Sequence, residues 1–463
     1  MIMENMPVTG YAAEGKSLAR IDGKVIFIQG AVPGDVADVL ITKNKKDWAE
    51  GNVIKINQYS SERVIPFCIH FGVCGGCKWQ MLPYQKQLEY KEQEARDIFK
   101  RIGKLHDAVV LPIIGSDDTI HYRNKLEFTF SNKKYLTGDE FKELGDDEWP
   151  GGALGYHVPR LYDKVIDIKE CWLMDDLNNV IRNGVRKFAE ENNYTYYDIK
   201  EHKGWLRNLI IRYCTTGELM INLVFGYDDK KERENICNFL LKEIPGISTL
   251  VYTINPKWND SLNDLTPYVV HGKGYVIEKL EDFNFKISPK SFFQTNTKQA
   301  EKLYKVVREF AALNGSETVY DLYCGTGSIG IFLSNYVKKI IGVDVIEDAI
   351  NDAEENARLN QVTHASFFAG DVIEICNDPF FELHGRPDVV IVDPPRAGLH
   401  NKLTNKLLEI NSPKIVYVSC NIATQARDLQ LLSEKYFVEK LQPVDMFPHT
   451  HHIECVALLK LKG

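Results

Sequence analysis

After Phe292 the chain repeats one pattern: a short apolar run, a turn signal, then a helix-like segment. The runs at 318–323, 339–343, 365–369, 389–392 and 415–419 read as strands. Strands separated by helices pair in parallel, with the helices covering the faces of the sheet. The fold class expected here is therefore α/β, a doubly wound, mostly parallel sheet. Sheets of that kind bind ligands in the crevice at the carboxyl ends of their strands, so the chemistry is expected there.

The first run leads into Asp321-Leu322-Tyr323-Cys324-Gly325-Thr326-Gly327-Ser328-Ile329-Gly330. Three glycines in this G-x-G-x-x-G spacing let the backbone turn tightly and approach a ligand at the start of a helix. A nicotinamide-dependent dehydrogenase would use the same glycines, so the motif alone leaves the cofactor open. The second run ends at Asp344, whose carboxylate can accept hydrogen bonds from both hydroxyls of a ribose. The third ends at Gly370-Asp371, suited to an adenine amino group. The fourth ends in Asp393-Pro394-Pro395-Arg396, which a dehydrogenase explains poorly and which resembles the substrate edge of S-adenosylmethionine-dependent methyltransferases. Enzymes that methylate exocyclic amines carry an aromatic residue after the paired prolines; Arg396 points away from that chemistry.

The fifth run ends in Ser419-Cys420-Asn421-Ile422. A thiol at this tip faces the same crevice, where the next helix start stabilises a thiolate, although a lone cysteine is more often a small core residue. Near the C-terminus, Glu454 opens an otherwise apolar stretch. A carboxylate is costly to bury idle, which makes Glu454 a candidate general base. His449, His451 and His452 precede it without partners at metal-ligand spacing, so phosphate or substrate contacts are expected of them rather than zinc.

A chain of 463 residues is too long for one core and suggests about three domains. A composition of 44% hydrophobic and 26% charged residues excludes disordered and fibrous classes. Residues 1–62, with Gly-punctuated β-branched runs, read as a small OB-like β-barrel. Residues 63–287 read as an α+β domain, with strands at 125–130, 209–213, 219–225 and 249–254 and helical pieces at 84–104, 175–192 and 230–243. The stretch 133–152, ending in Trp149-Pro150-Gly151-Gly152, reads as a loop. Residues 288–463 hold the doubly wound sheet. No signal peptide or 18-residue apolar run is visible, so a cytoplasmic protein without membrane contact, acting as a monomer, is expected. Its ten cysteines are then thiols, ligands or nucleophiles rather than a disulfide framework. Cys68, Cys74 and Cys77 lie in one Gly-rich loop able to wrap a metal centre, with Gly75 and Gly76 expected at positive dihedrals. A fourth ligand is required, and structural zinc is the rival to an iron-sulfur centre. The net charge of −8 argues against indiscriminate nucleic-acid binding, and residues 1–60 hold seven Lys/Arg against seven Asp/Glu. His121-Tyr122-Arg123-Asn124-Lys125 offers basic groups around an aromatic, or is simply a solvated strand start.

Taken together, Ser291-Phe292-Phe293-Gln294-Thr295-Asn296, the 321–330 and 341–344 segments, Asp393 to Leu399, Ser419 to Asp428 and Pro448 to Leu459 resemble the RNA uracil-5-methyltransferase family. The resemblance implies a Rossmann-like class I methyltransferase domain that binds S-adenosylmethionine through Gln294, Tyr323, Ser328, Asp344, Asp371 and Asp393. It implies Cys420 as nucleophile and Glu454 as base. The cysteine pattern is similar to that of members that complete a [4Fe-4S] cluster with a later cysteine, here Cys171. The first sixty residues resemble the TRAM-type RNA-binding barrel of the ribosomal branch, which makes 23S rRNA the expected substrate. Family members acting on tRNA usually lack both barrel and cluster; tRNA remains the alternative, as does an RNA-binding iron-sulfur module with an inactive catalytic domain. Where the family usually has Pro after Ser-Cys-Asn, this chain has Ile422, so a slightly more mobile nucleophile loop is expected.

Overall fold

The computed structural model describes residues 1–145 and 151–463. The N-terminal part is a six-stranded sheet in the order Ile2–Pro7, Val36–Asn44, Trp48–Gln58, Lys24–Gln29, Ser17–Ile21, Gly10–Tyr11. Alternate residues such as Ile26, Ile28, Ala37 and Val39 point inward and form a small core of their own. Buried Asp35 anchors the chain where it leaves this sheet. Its carboxylate accepts hydrogen bonds from the backbone of Val32 and Ser60 and pairs with Arg63 at 2.6 Å.

The middle of the chain forms a seven-stranded sheet in the order Leu161–Asp167, Ala153–Val158, Lys125–Ser131, Leu206–Tyr213, Leu219–Phe225, Ile247–Ile254, Pro267–Gly272. Its pairs are antiparallel except Leu219–Phe225 with Ile247–Ile254, which the crossover helix Lys230–Glu243 makes parallel. That helix packs on Leu177–Glu191, with Phe188 and Phe239 stacked at 4.3 Å. The expected loop at 133–152 contains instead a short helix, Gly138–Leu144. Thr137 and Glu140 close a reciprocal capping box there, a local signal that the acidic composition hid. Trp149 and Pro150 lie outside the described residues.

The third sheet has eight strands in the order Ala365–Ala369, Lys339–Asp344, Thr318–Leu322, Val389–Val392, Lys414–Ser419, Glu454–Leu461, Tyr436–Val444, Val109–Val110. The first five are mutually parallel, and Glu454–Leu461 runs antiparallel to both its neighbours. Both faces are buried. Val319, Ile340 and Val416 enter one core while the next residues, Tyr320, Ile341 and Tyr417, enter the other, as the two-residue period of a strand requires.

Packing does not respect the expected boundary at residue 287. The hairpin Val276–Leu280 and Phe283–Ile287 packs in one core of this sheet, while Ala95, Ile98 and Phe99 of the helix Tyr84–Arg101 pack in the other. Within the segment 63–287, the helix at 84–101 and the hairpin at 276–287 thus pack on the eight-stranded sheet, and the chain loops away between. Amphipathic periodicity says that a face is buried; it does not say against which partner. Among the described residues no helix is long and apolar enough to cross a membrane.

One buried ion pair ties these parts together. Lys91 Nζ lies 2.6 Å from Asp445 Oδ1, and both side chains are fully buried. Asp445 also accepts from Tyr84 Oη at 2.9 Å and from the Phe447 backbone at 3.1 Å. Removing one partner strands the other charge in a low dielectric. Lys91→Met should therefore cost ~3–5 kcal/mol in urea unfolding, and adding Asp445→Asn should recover part of that loss. A loss below about 1 kcal/mol in the single variant would show that the pair is not a brace.

Candidate active site

The strands Thr318–Leu322 and Val389–Val392 are neighbours, yet the chain leaves them in opposite directions across the sheet. That topological switch opens a crevice at their carboxyl ends. On one side, Tyr323, Gly325 and Gly327 all take positive φ (62°, 52° and 73°), turning the chain tightly into the helix Ser328–Leu333. A Cβ on Gly327 would lie 3.0 Å from the Phe367 ring. Gly330 donates its backbone N–H to Asp321 Oδ2 at 2.9 Å, and a Cβ there would crowd the same carboxylate at 3.1 Å. The Gly-rich turn is thus shaped both by backbone angle and by close packing.

Asp321 is not among the residues that the sequence pattern singles out. It is fully buried, its Oδ1 has no partner, and burial, with Asp393 and Asp344 adding to it, pushes its carboxyl up to about 7. An orphaned buried carboxylate beside a Gly-rich turn fits a cationic group such as the ammonium of a methionine moiety. The one sequence signal for it is a lone carboxylate inside the apolar run 318–322.

The six expected cofactor residues gather at this end of the sheet or the segments beside it. Asp344 ends the Lys339–Asp344 strand and accepts from the backbone of Gly325 and Ile346, both at 2.9 Å. Exposed Asp371 caps the following turn by accepting from Ile373 N. Ser328 Oγ shares a hydrogen bond with Tyr304 Oη at 2.9 Å. Gln294 is buried, and its carbonyl accepts from Asn124 Nδ2 at 3.0 Å. Tyr323 and Asp393 are half-buried.

Strand register brings the other pair together. Ser419 lies opposite Cys455 in an antiparallel ladder, so the next step puts Cys420 opposite Glu454. Both sit just past the carboxyl end of Val389–Val392, where Asp393 follows. Burial, then the charges of Glu454 and Asp393, push the Cys420 thiol up to about 11. Arg396 opposes this, placed to hydrogen-bond the thiol. Burial raises Glu454 to about 8 and Asp393 to about 7. From the sequence Arg396 serves only as evidence against amine methylation; in the fold its guanidinium favours the charged forms of both Cys420 and Glu454.

The Cys420 loop is well held. Asn421 caps the helix Ile422–Leu432, accepting from Ala423 N and Thr424 N, and its Nδ2 donates to the Arg396 carbonyl at 3.1 Å. Ile422 is the first residue of that helix and is buried. Pro is favoured at that position because the N–H there has no helical partner, so Ile422 keeps the same backbone role and the expected looseness is countered by capping and burial.

The histidines do not offer cations to phosphate. Burial lowers His449 and His451 to about 4 and His452 to about 3. His449 Nδ1 meets Gln87 Nε2 at 3.1 Å, its N–H donates to Gln87 Oε1, and its carbonyl accepts from Lys78 N and Trp79 N. The 449–451 turn is a junction, and Gly15 of the N-terminal sheet sits so close that a Cβ would lie 2.9 Å from His451 Cβ. With folded values below the ordinary 6.5, the stability these rings contribute is present above pH 6.5 and is lost as pH falls towards 4. The 121–125 segment is likewise structural. His121 stacks on Trp172, Tyr122 is buried and donates to the Pro448 carbonyl, and Asn124 donates to Gln294 and Thr297.

Cys68, Cys74, Cys77 and Cys171 line one cavity of about 360 Å³, together with His70, Arg123 and Tyr156. Burial holds Cys74 and Cys77 as thiols, pushed up to about 12. Gly75 and Gly76 do not take positive φ; Gly72 does, at 90°. Gly75 is instead closely packed, since a Cβ would lie 3.2 Å from the Pro159 ring. Among the described residues no three His, Cys, Asp or Glu side chains converge on one ion position.

Comparison with known proteins gives this geometry its family. The model of tRNA (uracil-5-)-methyltransferases matches residues 268–462, and that of the TRAM domain matches 7–54. A Bacteroides thetaiotaomicron protein named as an uncharacterized RNA methyltransferase is 49% identical over 97% of this chain and 100% of its own length. The chain belongs to the RNA uracil-5-methyltransferase family. It is an S-adenosylmethionine-dependent enzyme with a class I methyltransferase fold and an N-terminal TRAM domain. A Porphyromonas gingivalis RNA methyltransferase, also named as uncharacterized, is 46% identical over 98% of this chain and 99% of its own. The structure of a Pyrococcus abyssi tRNA (uracil-54, C5)-methyltransferase bound to S-adenosyl-L-homocysteine matches with a TM-score of 0.74 and 28% identity, over 99% of this chain and 100% of that one. This weakens one premise of the ribosomal expectation. A tRNA methyltransferase spans nearly this whole chain, so the N-terminal domain does not by itself mark a ribosomal RNA enzyme.

The buried carboxylate makes a signed prediction. Because the folded value of Glu454 lies above its ordinary 4.5, its contribution to stability is full below pH 4.5 and is lost as pH rises through about 8. Glu454→Gln should stabilise the ligand-free protein at pH 8 by on the order of a few kcal/mol and hardly at all at pH 4.5, as read from denaturant midpoints. An equal gain at both pH values would refute the burial of an unpaired carboxyl.

Proposed function

We propose that this methyltransferase makes 5-methyluridine in RNA through a covalent adduct of Cys420 with C6 of the target uracil, and that the RNA is 23S rRNA. The observation that carries the reaction is the register that sets Ser419 opposite Cys455, with Cys420 and Glu454 following as electrostatic neighbours of each other and of Asp393 and Arg396. Uracil C5 is too weakly nucleophilic to be methylated unaided. Addition of the Cys420 thiolate to C6 turns the ring into an enolate with electron density at C5. Asp321, Gln294, Tyr323, Ser328, Asp344, Asp371 and Asp393 would hold S-adenosylmethionine, which when bound would supply an electrophilic methyl group, the S–CH3 bond breaking as C5–CH3 forms and S-adenosylhomocysteine leaving. Glu454 then takes the proton from C5, and the thiolate leaves C6 as the C5–C6 double bond re-forms. Arg396 steadies the thiolate at the start and end of this cycle. A uridine reaches this half-buried pocket only out of its stack, so the RNA must present or flip the base.

We read the four cysteines as ligands of a [4Fe-4S] cluster. Their fit rests on the shared cavity: four thiols spread around one space suit a multi-iron centre better than a single zinc, which needs four sulfurs about 2.3 Å from one point. A cluster would supply its own positive charge to deprotonate thiols that burial otherwise keeps protonated. Four ligands leave no open iron, so its part is architectural or RNA-positioning.

The ribosomal assignment rests on the cysteine set combined with the TRAM domain. The match to the Pyrococcus abyssi tRNA enzyme over nearly the whole chain favours tRNA as a second reading. Unmodified 23S and tRNA transcripts offered to the enzyme separate the two; methylation of tRNA alone would replace the first with the second.

Cys420→Ala should abolish turnover while leaving affinity for S-adenosylmethionine within about twofold, because the thiol acts on the uracil and most of the cofactor residues lie on earlier strands. Glu454→Gln should accumulate an RNA-protein adduct that survives denaturing electrophoresis. Normal RNA binding without such an adduct would remove Glu454 as the base.

Protein purified without oxygen should be brown and carry about four irons per chain. Alanine at Cys68, Cys74, Cys77 or Cys171 should lose them. A colourless protein holding one zinc would overturn the cluster.

A further inference from the structure

Outside the crevice, the loop that follows the Ile247–Ile254 strand carries Trp258, which is 75% exposed. An isolated exposed indole needs no explanation, but this one is held in place. Arg207, buried at the start of Leu206–Tyr213, donates to the carbonyls of Asn255 at 2.8 Å and Asn259 at 3.1 Å, and pairs with Asp260 at 2.8 Å. Its guanidinium lies 4.0 Å over the Tyr197 ring. Tyr197 Oη meets His202 Nδ1 at 3.3 Å, and the imidazole stacks flat on Trp258, centroids 4.6 Å apart and planes 5° from parallel. The result is a ladder from a buried cation to a surface indole, with one face of the indole covered and the other open.

We propose that Trp258 is a second contact for the RNA, a platform on which an unpaired base of the substrate stacks outside the catalytic crevice. This rests on the reading of the protein as an RNA methyltransferase acting on a folded RNA. Every nucleobase has a π face, so a fixed open indole binds without reading sequence. A freely rotating indole would lose entropy on stacking; the His202 stack and the Arg207 clamp remove most of that cost beforehand. The loop is also continuous with the cofactor side of the molecule, since Lys290 Nζ donates to the Asn263 carbonyl at 2.9 Å and Lys290 lies four residues before Gln294. The strand Leu206–Tyr213 sets the distance. Arg207 holds the platform, while Arg212, about 17 Å further along, donates to Asn124 beside Gln294. The base on Trp258 is therefore not the target uridine but one some nucleotides away, which makes the platform a register device for a folded RNA.

Unmodified 23S and tRNA transcripts are the probes, at one fixed salt concentration because phosphate contacts make affinity salt-dependent. Trp258→Ala should weaken binding of the substrate transcript roughly tenfold and raise its KM by a similar factor, while single-turnover methylation at saturating RNA and affinity for S-adenosylmethionine stay unchanged. Trp258→Phe should stay within about threefold of wild type, and His202→Ala should fall between. Ultraviolet crosslinking of the wild-type complex should join RNA to the peptide containing Trp258. Equal affinity of wild type and Trp258→Ala for both transcripts, including none for either, overturns the platform. Failure of the wild type to methylate either transcript counts instead against the proposed reaction, and binding of the same transcripts still decides the platform.

Discussion

The last strand runs against the direction of the sheet, and the active crevice depends on that reversal. Parallel strands present their carboxyl ends at the crevice; only a reversed strand presents its first residue there. Glu454 is that first residue, and the ladder from Ser419–Cys455 to Lys414–Lys460 fixes it opposite Cys420. Gln425 Nε2 reinforces the register by donating to the carbonyls of both Tyr417 and Cys455. A slip of one residue would turn Glu454 to the opposite face and place an apolar neighbour at the crevice. The approach to this strand must be held as firmly as the strand. Residues 445–450 are fastened by three contacts from two elements, Lys91 on Asp445 and Gln87 on His449 from one helix and Asn296 on the Met446 carbonyl from the start of another. The helix Tyr84–Arg101, which looks from its sequence like part of a separate domain, is in this sense a support for Glu454.

The electrostatics of the crevice are those of a site built for a cation. Asp321, Asp393 and Glu454 stand near one another with little to neutralise them, and each is raised by burial to about 7 or 8. In the ligand-free protein these groups oppose stability at neutral pH, because the unfolded chain ionises them freely. A sulfonium and an ammonium entering the crevice would reverse that balance and favour the carboxylates. The same entry relieves Cys420, whose thiol is raised in part by the uncompensated charge of Glu454 and Asp393. Binding of a cationic ligand and ionisation of the Cys420 thiol would thereby be coupled through ordinary Coulomb terms, without any required movement of the backbone. Arg396 is the fixed part of that compensation and the cofactor the movable part.

Much of this is legible in the sequence. The apolar runs at 318–323, 339–343, 365–369, 389–392 and 415–419 all become strands, within a residue at either end, and Asp344 at the end of one and Asp393 and Cys420 just past two others fall where a doubly wound sheet must place them. The illegible features have a common cause: they depend on contacts between segments far apart in the chain. Nothing in the sequence around Val109–Val110 announces that it will pair with Tyr436–Val444, or that the hairpin at 276–287 will cover one face of the catalytic sheet. Asp321 and Arg396 escape a reading of the sequence because their importance lies in their surroundings. The histidines mislead for the same reason, since a cluster of imidazoles suggests charge until burial makes them neutral junction residues.

The cysteine cavity and the crevice are joined by a short path of packed groups. Phe67, next to Cys68, meets both Trp172, next to Cys171, and His449. Arg123 lines the cavity and lies 4.9 Å over the Phe447 ring, while Asn124 reaches Gln294. Whatever fills the cavity therefore fixes the spacing between the loop at 68–77, the 169–173 segment and the turn that leads to Glu454. A centre bonded to all four sulfurs would lock these segments far more firmly than four free thiols around a cavity, because each metal-sulfur bond adds a directed link between them. Its benefit would appear in the placement of the carboxylate and of the RNA at the crevice mouth, and electron transfer is not needed to account for its position.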